Sequence, residues 1–450
     1  MTKDLTVGSP LKIFIWFTIP ILIGNLFQQL YNVVDTVIVG RYLGEEALAA
    51  VGTTGCLMFL VIGFANGVAQ GFGVMIAQAF GAGNHKLLRH YVALIIILTI
   101  IVSAVLSIPT TIFSRNFLIM LNTPDNILGM ADSYIKVIFG GLFLTMVYNV
   151  EAGILRGMGD SKTPLYFLFI ASALNIVLDI ILIVYAGLGT AGAAYATVIG
   201  QGVSALLCFF YMYIKFPIIR IRRSDFYNDF AGCVKLLSLG IPMAVNYSIT
   251  AVGTMILQSA INVFGSSVVA AYTAASKVIN LTTQTMPSLG TTAATFCGQN
   301  LGAGKMDRIF KGMKVALLLC FVVGVLGAAI SILCGPAMIG LFIKNPSDTT
   351  MGYAMEYLIK ASTCMMPLAM IFVYRNGMQG LNQALVPMLC GIVELVSRVS
   401  VIKIVSKPFG YSGVCLTDPI CWLVTGVMVF VAYLIWEIKT KKKWNINNNV

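Results

Sequence analysis

Hydrophobic residues run through this chain in long unbroken stretches, without the two-residue alternation of half-buried strands. The stretches lie near residues 11–38, 47–78, 91–113, 129–155, 163–186, 189–214, 235–262, 267–297, 313–335, 351–376, 385–405 and 414–436. A helix needs about 20 mostly apolar residues to cross a bilayer, and nothing here alternates like a membrane β-barrel. The pattern predicts an all-α integral membrane protein of twelve transmembrane helices. One stretch matters most: 163–186 reads TPLYFLFIASALNIVLDIILIVYA, and only Asn175 and Asp179 in its middle need water. They stand four residues apart, on one helical face. An ionisable group at such depth faces a bundle interior or a wet cavity, which makes Asp179 a functional candidate.

The first span repeats the theme. Asn25, Gln28, Gln29, Asn32 and Asp35 recur at steps of three and four, one polar stripe on an apolar helix. Such a stripe should face protein or water, never lipid. Pro20, inside the same span, removes a backbone hydrogen bond and marks a bend point. At about 1.5 Å per residue, Asp35 lies about 36 Å from Leu11 and Asp179 about 24 Å from Thr163, so both belong to the same outer half of the bilayer. Tyr134 and Thr197 reach a similar level from the other side, and four helices can supply one polar cluster. Glu151 is expected to pair with Arg156 at the interface. His85 and His90 sit in a basic loop without acidic partners and are expected to be solvated.

The chain also repeats itself. Gln78-Ala-Phe-Gly-Ala-Gly83 returns as Gln299-Asn-Leu-Gly-Ala-Gly304, Ile19-Pro20 as Ile241-Pro242, and Gly157 with Pro164 as Gly380 with Pro387, each displaced by about 220 residues. Six spans per repeat is an even number, so both halves enter the membrane in the same sense. This predicts two pseudo-symmetric six-helix lobes around a central cleft. The expected divisions are an N-lobe over 1–214, an inter-lobe linker over 215–234, a C-lobe over 235–438 and a basic tail over 439–450. The second lobe loses the acids: Arg398 stands where the first has Asn175, and Ile402 where it has Asp179. Glu394 and Arg398, four apart, are expected to form a structural intramembrane ion pair. Lys277 either meets substrate in the cleft or snorkels to the interface.

Composition agrees: of 450 residues 58% are hydrophobic and 10% charged, against about 25% charged in ordinary globular chains. The net charge of +12 could suggest nucleic acid, but its distribution records topology instead. Lys and Arg crowd the tails and loops on one side, from Lys3 and Lys12 through Arg220, Arg222 and Arg223 to Lys439, Lys441, Lys442 and Lys443. The other side holds Arg41, Arg115, Lys136, Lys344, Lys360, Lys403 and Lys407. The excess stays cytoplasmic, which places both termini inside, with the opening residues a cytoplasmic tail and not a signal peptide. The ten cysteines are scattered, without a CxxC, and indicate neither zinc nor a disulfide framework.

With Ile19-Pro20, Val34-Asp35, the two Gly-Ala-Gly helix ends and Asn175-Ile-Val-Leu-Asp179 in place, the chain resembles the multidrug and toxic compound extrusion (MATE) family, most closely its DinF-like and MepA-like branches. The resemblance implies a secondary multidrug efflux transporter of a prokaryotic inner membrane. It would export amphipathic, often cationic, drug-like compounds in exchange for protons or sodium. Asp35 and Asp179 would then bind the coupling ion, with Tyr134, Asn175 and Thr197 in the same network and Pro20 where the first helix bends. Asn25, Gln28, Asn32 and Lys277 would face the substrate cleft. No organic cofactor is expected, no metal beyond sodium, no nucleic acid, and a monomer in the lipid bilayer. The alternative cargo is a lipid-linked glycan or phospholipid, whose phosphates would require arginines lining the cleft. An intramembrane enzyme lacks a Ser/His or paired-His constellation.

Overall fold

The computed structural model describes residues 4–227, 229–343 and 346–448, so Lys3 and Lys344 of the charge pattern lie outside the described residues. The first half comprises α1 (Pro10–Leu43), α2 (Glu45–Gly81), α3 (His85–Ile112), α4 (Ser114–Met120), α5 (Asp125–Gly140), α6 (Leu142–Gly157), α7 (Thr163–Asp179) and α8 (Gly189–Lys215). The second comprises α9 (Phe230–Asn262), α10 (Ser266–Thr283), α11 (Thr285–Gly302), α12 (Met306–Leu333), α13 (Gly335–Phe342), α14 (Asp348–Ser362), α15 (Met365–Gly380), α16 (Leu385–Cys415) and α17 (Thr417–Asn448). No strand occurs among the described residues. The chain is an all-helical, multi-pass membrane protein.

Several expected spans are interrupted. Among the described residues nine helices are long and apolar enough to cross a bilayer, or eleven when each bent pair counts as one span. The pairs are α5 with α6, bent by 46° at Gly140-Gly141, and α14 with α15, bent by 52°. Paired glycines are a usual cause of such kinks. The region 267–297, expected as one crossing, is instead α10 and α11, parted at Gln284 within the polar run Thr282-Thr283-Gln284-Thr285. That twelfth crossing does not meet the length and apolarity of the others. At the far end α17 runs on through the expected tail to Asn448.

The chain divides into two compact units that do not follow chain order. One holds Ile19–Ser248, and the other holds Leu5–Thr18 together with Ile249–Val450. The first division adjoins Pro20, and the second falls within α9, a few residues past Pro242. Inside each unit the counterpart helices meet most closely: α2 on α6 in one, α11 on α15 in the other. A Cβ on Gly157 would lie 2.8 Å from the Gly73 carbonyl oxygen, and one on Gly380 only 2.5 Å from that of Ala294. The same backbone-to-backbone approach, which needs glycine, is thus built twice.

Candidate functional site

The first unit gathers the predicted polar residues at one place. Asp35 on α1 is 8% exposed, and Asp179, the last residue of α7, is 0% exposed. Their carboxyl groups lie within hydrogen-bonding reach of each other. Asn175, one turn before Asp179, is buried and directs its Nδ2 to Thr197 Oγ1 on α8 at 3.4 Å. Tyr134 on α5, also buried, is within electrostatic reach of both carboxyls. Tyr31, one turn before Asp35 and unnoticed in the sequence, completes the cluster: its hydroxyl stands 3.1 Å from Thr197 Oγ1. The i, i−4 relation to Asp35 was the signal that could have found it.

The arrangement is short of donors. Asp35 Oδ1, both oxygens of Asp179 and Asn175 Oδ1 are buried without a hydrogen-bond partner. A carboxylate buried unpaired is costly, and two in contact repel each other. A proton shared by the pair would supply the missing donor. A sodium ion would suit the same all-oxygen set, since hard cations take carboxylate, amide and hydroxyl oxygens. No cluster of three or more His, Cys, Asp or Glu with metal-ligating geometry exists among the described residues.

Directly after Asp179 the chain leaves the α pattern: Ile180–Tyr185 forms a π-helical turn. Such turns are rare and often sit at functional sites. Nothing in the apolar run IILIVY announced it.

The polar stripe of α1 does not stay together. Gln28 and Asn32 are exposed and Asn25 is half-buried, while Asp35, at nearly the angle of Gln28, is covered. Helical angle alone cannot separate them; what packs at each level does. Pro20 lies inside α1, which continues unbroken through it.

In the second unit Lys277 is exposed, with its ammonium 5.5 Å from the ring centre of Phe342. The expected pair of Glu394 with Arg398 is long, at 3.8 Å, because Arg398 turns to Asp418 at 3.1 Å. Tyr357 donates to the other Asp418 oxygen at 2.7 Å. Asp418 stood inside an expected span, yet as a first-turn acid of α17 it resembled an ordinary helix-start residue.

Two expectations fail. Glu151 and Arg156 form no ion pair; Glu151 is buried, and its Oε2 has no partner. His90 is not solvated. It is 1% exposed, with Nδ1 2.8 Å from the Asp225 carbonyl oxygen, Nε2 3.0 Å from Asp229 Oδ2, and its ring stacked on Tyr227 at 3.8 Å. Its acidic partners come from the segment before α9, too far along the chain to be read from the loop. His85, at the start of α3, is exposed as expected.

The MatE family model matches the chain twice, over residues 20–181 and 242–404. The chain belongs to this family of multidrug efflux transporters. The probable multidrug resistance protein YoeA of Bacillus subtilis is 32% identical over 315 residues, 68% of each chain. YpnP of the same organism, also a probable multidrug resistance protein, is 27% identical over 98% of each. Among solved structures, an outward-facing multidrug resistance MATE family transporter of the MOP superfamily matches with a TM-score of 0.90 at 25% identity, over 98% of this chain and 100% of that one.

Proposed function

We propose that this protein is a secondary active exporter of amphipathic, often cationic organic compounds, driven by protons or sodium bound between Asp35 and Asp179. The carrying observation is the set of unpartnered oxygens on Asp35, Asp179 and Asn175. Such a set is stable only when a proton or a small cation is present. In this reading the ion enters from outside, neutralises the pair and lets α1 rearrange near Pro20; substrate leaves, and the ion is discharged inward. Tyr31, Tyr134 and Thr197 hold the carboxyls in register, and no organic cofactor takes part.

The charge pattern supports placing both termini in the cytoplasm; the same reading takes the protein as a monomer in a prokaryotic inner membrane. A phosphate-bearing cargo is less well supported, because Arg398 is committed to Asp418. The test is dye efflux from proteoliposomes with pH and sodium gradients imposed independently. One of the two gradients should drive efflux in the wild type and fail in Asp35→Asn and Asp179→Asn. Full-rate efflux in either variant would refute the assignment.

A further inference from the structure

The first unit holds a second place where a buried acid lacks a partner. A pocket with an accessible volume of about 450 Å³ opens among α3, α6, α8 and the segment after α8. Its walls are apolar, with Ile96, Val147, Phe209 and Ile219 among them. Ile96, Ile100, Phe209 and Tyr213 are 40–56% exposed, so the pocket opens on a surface that is itself apolar. Glu151 is the acid in the lining. It is 7% exposed, and its Oε2 has no hydrogen-bond partner. Arg220, also in the lining, is not its partner: the Nε donates to the Tyr213 carbonyl at 2.8 Å, and the guanidinium lies 4.9 Å from the Tyr213 ring centre.

A volume of this order suits a drug-sized ligand. An apolar wall with one unsatisfied carboxyl selects a particular chemistry: an apolar body carrying a single ammonium that donates to the acid. We infer that this pocket is a binding site for lipophilic organic amines, entered from the bilayer and distinct from the Asp35–Asp179 site. Glu151 receives the ammonium, Phe209 and the aliphatic side chains hold the body, and Ile219 with Ile221 forms part of the wall. The inference takes from the proposed function only the class of compound, and it needs no coupling mechanism.

The test uses the full-length protein in lipid nanodiscs, with binding to empty nanodiscs subtracted. The probes are 9-(methylaminomethyl)anthracene and its neutral analogue 9-(methoxymethyl)anthracene. The amine should bind the wild type and the double variant Asp35→Asn/Asp179→Asn alike. Glu151→Gln should weaken it roughly 10- to 100-fold, with the neutral analogue weak in every variant. Val147→Phe, which keeps the acid and fills the pocket, should weaken amine binding to the same extent, so the site can be tested even if Glu151→Gln does not fold. Amine binding unchanged in Glu151→Gln or in Val147→Phe would overturn the inference. So would a neutral analogue that binds the wild type as tightly as the amine, or a fatty acid anion held there through Arg220.

Discussion

Asp179 is the most completely buried acid of the first unit's cluster, and what surrounds it leaves its charge uncompensated. Its oxygens lack donors, and so does Oδ1 of Asp35 beside it. Thr197 is the hinge of the network, meeting both Asn175 and Tyr31. Thr197→Val keeps shape and removes both bonds, at a cost of about 1 kcal/mol each. Gradient-driven efflux should fall several-fold, while substrate binding in the absence of a gradient stays unchanged. In the second unit Arg398 and Asp418 are both buried. Removing one partner of a buried pair costs about 3–5 kcal/mol. Arg398→Ala should therefore lower the thermal midpoint sharply, and adding Asp418→Asn should recover part of the loss. These residues were unequally legible. Asp35, Asn175, Asp179 and Thr197 could be picked out because polar groups at helical spacing are conspicuous in apolar spans. Tyr31 was hidden because a tyrosine in a span is as easily packing.

At the scale of elements, the π turn after Asp179 and the segment between α8 and α9 depart most from regular α-helix. Deleting Ile181 would return Ile180–Tyr185 to an α ladder. That closes the widened turn beside Asp179 while leaving the flanking segments nearly in register, and coupled efflux should be lost while the folded protein remains. The segment before α9 is pinned to α3 through His90. Asp225 also meets Arg89 at 3.3 Å and accepts from the Arg222 backbone N–H at 2.8 Å. His90→Ala should raise hydrogen exchange at the Arg222 and Asp225 amides, without change in α7. Asp229 titrates outside the membrane. The Gly232 backbone N–H, then the His90 side chain, hold its carboxyl below the ordinary carboxylate range. A depressed carboxyl contributes stability that is fully present above its unfolded value, about 3.9, and is lost as pH falls through the folded value. The Asp229 contribution should hold across neutral and mildly acidic pH and vanish only in strong acid. Asp229→Asn should abolish that dependence, as measured by exchange in the same segment. Helix positions were largely readable from apolar length. Breaks were not, because Gln284 and Gly140-Gly141 act through local backbone geometry that apolarity does not report.

At the scale of the whole molecule, the repeat is the clearest message of the chain. The family model matches twice, and each unit packs counterpart helices through counterpart glycines. The two copies have diverged in their polar interiors. Tyr134 and Tyr357 occupy equivalent places, but the first unit pairs two acids where the second pairs Asp418 with a permanent cation, Arg398. In the proposed mechanism only the first copy exchanges an ion, while the second carries its own fixed counter-charge. The divergence at Arg398 was visible in sequence; its partner was not, since Asp418 comes from another helix.

The central claim is that Asp35 and Asp179 act as one titrating pair. Infrared difference spectra of the purified protein, recorded on a pH step and on sodium addition, read the carboxyl C=O band directly. The account predicts one coupled carboxyl signal that disappears in both Asp35→Asn and Asp179→Asn. Two independent signals, each surviving removal of the other acid, would contradict it.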